Sequence, residues 1–134
     1  MTTNKTILID ADIILRMLVN DVPSQAVKAQ KLFQQIERGR VTGIVTLLVI
    51  GEIVWVFENF YEKPRTEFIP NIVSVLSIKN IKILEIKKQD LIAILKYMLE
   101  FKLDFTHIYV VYFSKQLNSH VASFDKDLLK AMGK

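Results

Sequence analysis

Ile44-Val-Thr-Leu-Leu-Val-Ile-Gly-Glu52-Ile-Val-Trp-Val-Phe57 decides the fold class of this chain. The β-prone run Val41 to Thr46 passes directly into a helix that is expected to reach about Tyr61. The quoted run is apolar nearly all round, and Glu52 is its only charge. A helix of this kind is expected to be buried. An ionised glutamate there is costly unless it is paired, hydrogen-bonded or bound to a cation. Capping cannot explain it, because Glu52 lies inside the helix. Its ordinary explanation is a buried ion pair with a lysine or arginine.

Strands and helices alternate on both sides of this stretch. Upstream, Thr6 to Ile9 reads as a short buried strand and Ala11 to Val19 as a helix. Pro23 and Ser24 open a second helix, which places Ala26, Ala29, Leu32, Phe33 and Ile36 at helical spacing up to Arg38. Gly39 ends it. Downstream, Pro64 starts a helix in which Pro70 predicts a kink or break. Ile81 to Ile86 alternates like a half-exposed strand, and Gln89 to Phe101 reads as an amphipathic helix. Ile108 to Phe113 has strand-like composition, but its flanks, Asp104 and Ser114 to Leu117, predict a buried helix. Val121 to Phe124 is expected as a last strand and Asp125 to Met132 as a closing helix. The alternation predicts an α/β fold whose central, mainly parallel sheet is covered on both faces. With no internal repeat or linker, residues 1–134 are expected to form a single domain.

The bulk composition narrows the function. The chain has 134 residues, of which 51% are apolar and 24% charged, and this fits a globular protein with a real core. It has no cysteine, so disulfides and thiolate zinc sites are excluded. Its start, Met-Thr-Thr-Asn-Lys, lacks a signal-peptide layout, and no apolar stretch reaches the length of a membrane span. A cytoplasmic location without a membrane partner is therefore expected. The net charge of +4 mildly favours an anionic partner such as nucleic acid.

Acids other than Glu52 stand at the boundaries of elements. Asp10 closes Ile7-Leu8-Ile9, Asp104 opens an apolar stretch, and Asp125 follows Val121-Ala-Ser-Phe124. Each could simply cap the helix after it, a contribution of about 1 kcal/mol. Asp90 and Asp127 read as solvent-facing helix-start acids, and Asp21 as loop. Asp10 and Asp125 also fall beyond the carboxyl ends of strands, where open parallel sheets bind ligands. Two carboxylates about 4 Å apart repel by roughly 4 kcal/mol at an effective dielectric of about 20. A gathered set therefore needs a cation, and oxygen ligands favour Mg²⁺ or Mn²⁺. Such ions suit water activation and phosphodiester hydrolysis.

The residues also resemble a known family, the PIN-domain ribonucleases and especially the VapC-type toxins of toxin–antitoxin pairs. Leu8-Ile-Asp10-Ala-Asp12-Ile-Ile-Leu-Arg16 is similar to the family's opening LLDTNVLLR, with Asp12 at its usual Asn position. Ile50-Gly-Glu52-Ile-Val-Trp-Val-Phe57 resembles LAEVVWVL. Asp104-Phe-Thr-His107, with Ser123-Phe-Asp125-Lys-Asp127-Leu128, resembles DFAD followed by TFDKDF. The resemblance implies a three-layer α/β/α PIN-like fold, a homodimer, and RNA cleavage dependent on Mg²⁺ or Mn²⁺. It also implies a VapB-like antitoxin whose peptide covers the acidic groove. Asp10, Asp104 and Asp125 would then hold the metal, while Glu52 would ligate it through water or orient the hydroxide. Thr46 and Ser123 could hydrogen-bond site oxygens or be merely structural.

His107 stands where the family carries its second aspartate. It could bind Mn²⁺, make a hydrogen bond in place of a ligand, or be a helix-start histidine without a chemical role. His120 reads as structural or solvent-facing. The family also commonly continues into another strand, which is not expected in a chain ending at Lys134. An active toxin-type endoribonuclease is thus one expectation. A binding module silenced by His107, which still binds an antitoxin or RNA, is another. Asp10-Ala-Asp12 after a strand also resembles the DxD of haloacid-dehalogenase phosphatases, but that family's lysine and paired-acid motifs are not convincing here.

Overall fold

A computed structural model describes residues 5–133. Readings of the chain's start and end that rest on residues 1–4 and Lys134 lie outside these described residues. Three parallel strands form the sheet: β1 (Lys5–Leu8), β2 (Val41–Val45) and β3 (Ile81–Ile83), in the order β1-β2-β3. Thr6 lies opposite Thr42, and Ile44 opposite Lys82, which sets the register.

Parallel neighbours need crossover connections, and helices supply them. Helices α1 (Ala11–Leu18) and α2 (Pro23–Glu37) join β1 to β2, while α3 (Leu47–Asn59) and α4 (Arg65–Leu76) join β2 to β3. Helices α5 (Lys88–Tyr97), α6 (Phe105–Leu117) and α7 (Lys126–Met132) follow. The outcome is the expected mixed α/β fold, a parallel sheet flanked by helices.

The core lies around the middle strand. Val41, Gly43 and Val45 of β2 are buried in alternation, as period-two geometry requires. A Cβ on Gly43 would stand 2.6 Å from Ile9 Cδ1, 2.9 Å from Ile81 Cδ1 and 3.0 Å from Ile36 Cδ1. Glycine therefore lets both neighbouring strands and α2 close on one point. Helix α2 buries Ala26, Ala29, Phe33 and Ile36 of the set its spacing selects, and Leu32 is half-buried. Phe57 and Phe68 stack with ring centres 5.1 Å apart and join α3 to α4.

Five expectations change. Val121 to Phe124 forms no strand, and Phe124 is fully exposed. The chain there has no regular structure, and contacts at its two ends are local. Asn118 adopts a left-handed conformation (φ 51°), Ser119 N–H donates to the Ser114 carbonyl, and the Ser123 hydroxyl accepts from Asp125 N–H. Among the described strands, β1 accordingly has only β2 beside it.

The strand predicted over Ile81 to Ile86 stops at Ile83. Glu85 leaves the ladder, and its carboxylate accepts Leu47 N–H at 2.9 Å. Helix α4 runs unbroken through Pro70. Pro70 and Thr66, whose carbonyl loses its partner, are both exposed, so water can satisfy that oxygen. Ile108 to Phe113 is helical as expected, but α6 buries only Ile108 and Ser114 fully.

The fifth change concerns Glu52, which is exposed rather than buried. Helix α3 sends Ile50, Ile53, Val54 and Phe57 into the core. The opposite stripe carries Glu52 between Leu48, 81% exposed, and Trp55, 62% exposed. No ion pair or hydrogen bond holds the Glu52 carboxylate among the described residues, so the expected buried pair is absent. No described helix is long and apolar enough to cross a membrane.

Candidate functional site

The ladder between β1 and β2 continues one step past β1, where Ile9 N–H donates to the Ile44 carbonyl at 2.9 Å. Asp10 follows at the carboxyl end of the sheet. Its backbone is extended, and its carboxylate caps α1 by accepting Ala11 N–H at 2.8 Å. Asp12 lies exposed in the first turn of the same helix.

Thr46 follows β2 and caps α3, its hydroxyl accepting Val49 N–H at 3.2 Å. Together with the Glu85 contact to Leu47, two of the helix's free amides are thereby satisfied. Glu52 projects from the second turn of α3 towards solvent.

Asp104 caps α6 and Asp125 caps α7, each carboxylate accepting a backbone N–H at 2.8 Å, from His107 and Leu128 respectively. The ordinary explanation for Asp10, Asp104 and Asp125 is therefore correct as far as it goes. Each is a helix cap, and each keeps a second carboxylate oxygen that capping does not use. Thr46 and Ser123 likewise spend their hydroxyls on backbone amides.

His107, in the first turn of α6, brings two of these acids together. Its Nδ1 stands 3.3 Å from Asp104 Oδ1 and 3.9 Å from Asp125 Oδ2. The ring is 31% exposed, against 64% and 39% for the two carboxylates. Asp104, His107 and Asp125 thus share one place, where the starts of α6 and α7 meet. No hydrogen bond or ion pair connects Asp10 or Glu52 to this trio or to each other. His120 is exposed, as a solvent-facing residue would be.

Carboxylate oxygens are the right donors for a hard divalent cation. Their arrangement here does not fit one. Among the described residues, no group of three or more His, Asp or Glu side chains is placed to hold a metal ion. An imidazole nitrogen occupies the position between Asp104 and Asp125 instead.

A groove that local sequence pattern scarcely marks lies beside these residues. About 920 Å³ in volume, it runs between α3 and α6, lined by Leu48, Gly51, Trp55, Phe105 and Tyr109 with Asp104 at its edge. The only available signal was the spacing of Leu48, Glu52 and Trp55, which puts all three on one helical face. Arg65 also reaches the groove, where its Nε meets Glu58 at 2.9 Å and its guanidinium donates to the carbonyls of Met98 and Phe101.

A family model described as PIN domain matches residues 7–134. No curated protein and no solved structure matches the chain.

Proposed function

The chain belongs to the PIN-domain family, and from that membership we propose that it is a VapC-like endoribonuclease whose hydrolysis is weakened by His107. PIN domains are generally metal-dependent nucleases. Residues 1–134 would act as one such domain, in the cytoplasm, on RNA phosphodiester bonds.

The acidic set would be Asp10, Glu52, Asp104 and Asp125. The observation that carries this proposal is the meeting of Asp104 and Asp125, from separate helix starts, beside the one side chain that departs from the family pattern. Mg²⁺ or Mn²⁺ would supply water activation in such a site. Because the donors as arranged do not enclose an ion, the contribution assigned to the chain itself is limited. Asp104 Oδ1, which also caps α6, and Asp125 Oδ2, which capping leaves free, face one point, and the α3 start fixes the height of Glu52.

A homodimer is supported by α3. A helix apolar on every side is ordinarily covered on every side, and the face carrying Leu48 and Trp55 is open in a single chain. An antitoxin of the VapB kind would be the regulatory partner. A second function, a silenced module that binds RNA or antitoxin without cleaving, is favoured by the contacts of His107 with both acids.

A mixed pool of structured RNA, incubated with Mg²⁺ or Mn²⁺, separates the two. The endoribonuclease cleaves slowly, loses that cleavage with Asp10→Ala or EDTA, and gains rate with His107→Asp. Cleavage confined to His107→Asp would identify the silenced module. No cleavage by either protein would end the ribonuclease proposal.

A further inference from the structure

Nδ1 of His107 faces two carboxylate oxygens at once, Asp104 Oδ1 at 3.3 Å and Asp125 Oδ2 at 3.9 Å. A neutral imidazole carries its proton on one nitrogen and a lone pair on the other. The neighbours choose between them here. An unprotonated Nδ1 would set its lone pair against two anions, whereas Nδ1–H offers them positive charge. The nitrogen between the acids therefore has no lone pair to give a metal, in the neutral ring and the charged ring alike.

We propose that His107 takes the structural place of a divalent cation. Its Nδ1–H braces Asp104 against Asp125, so the start of α6 and the start of α7 are held together without an ion. While the imidazole is there, the site binds Mn²⁺ or Mg²⁺ weakly. The inference rests on the acidic set proposed above. An aspartate at position 107 would put three carboxylates where two and an imidazole now stand. Their repulsion, at separations near 4 Å, is of the size that only a cation offsets in such surroundings. His107→Asp then makes both metal affinity and stability depend on the ion.

The test is Mn²⁺ titration, followed by the electron paramagnetic resonance of the free ion, together with melting in EDTA and in Mn²⁺. It is run on the full chain and on its His107→Asp and His107→Asn variants. The chain with His107 is expected to melt at the same temperature in EDTA and in Mn²⁺. His107→Asp is expected to bind Mn²⁺ at least about tenfold more tightly, a gain within reach of one added charge contact, and to melt higher in Mn²⁺ than in EDTA. Should the aspartate variant fail to fold, His107→Asn, which removes the ring without adding charge, must still show tighter Mn²⁺ binding than the parent. Equal affinity of the parent and a folded variant would overturn the proposal. So would a parent whose melting temperature rises with Mn²⁺. A His107→Asp protein that gains Mn²⁺ but leaves RNA intact would support the brace and remove the ribonuclease reading, so the two fail separately.

Discussion

Asp104 and Asp125 each satisfy an amide at the start of a helix, at 2.8 Å, while Glu52 satisfies nothing. That difference predicts stability effects of different size from similar substitutions. Asp104→Ala and Asp125→Ala should each cost about 1 kcal/mol through the lost cap. Glu52→Ala should change stability by less than about 0.5 kcal/mol. Urea denaturation of the three variants measures this, and a large loss in Glu52→Ala would mean the carboxylate has a partner in solution. The positions of the capping acids were readable from the sequence, because element boundaries and the following apolar runs mark them. The surroundings of Glu52 were not. Apolar neighbours state which side chains favour burial, and do not state whether the same chain provides the cover.

Between elements, two tyrosine hydroxyls act as ties. Tyr112 on α6 donates to Asp90 on α5 at 2.6 Å, and Tyr61 after α3 donates to Asp21 in the α1–α2 connection at 2.8 Å. The hydrogen bond to Asp90 raises the Tyr112 pKa above the ordinary 10.0, with desolvation adding to it. Burial raises that of Tyr61, and the bond to Asp21 adds to it. A raised folded-state pKa gives stability that is complete below the unfolded value and is lost as pH climbs through the folded one. Tyr61 and Tyr112 should therefore titrate above the ordinary 10.0 when phenolate absorbance is followed, and Asp90→Asn should return Tyr112 towards that value. A Tyr112 titration unmoved by Asp90→Asn would contradict that tie. Asp90 had read as a solvent-facing acid; a bond to a residue 22 positions away is invisible to local pattern. The helices were legible from spacing and caps, and α6 kept its helical form despite β-prone residues. Val121 to Phe124 had strand composition, but composition does not supply a neighbouring edge, and among the described strands none pairs with it.

At the scale of the whole molecule, one face stays open. Leu48 and Trp55 stand exposed on α3 above the groove that reaches Asp104. The chain has one tryptophan, so its emission reports on that face alone. If copies of the chain associate there, Trp55 emission should shift to shorter wavelength as concentration rises, and Trp55→Glu should leave a monomer in light scattering. A dimer that survives Trp55→Glu would place the contact elsewhere. The overall α/β order was legible because short apolar strands and capped helices alternate, but the open face and the His107 contact arise from folding and have no linear signature. The caps carry one more consequence, and it concerns descent. A lineage that abandoned cleavage would still be under pressure to keep Asp10, Asp104 and Asp125, since losing any of them weakens a helix. Glu52 carries no such obligation and would be free to drift. If the proposed cleavage depends on Glu52, then among descendants of a chain like this one the three aspartates say that the protein folds, and a retained glutamate on α3 says that it works.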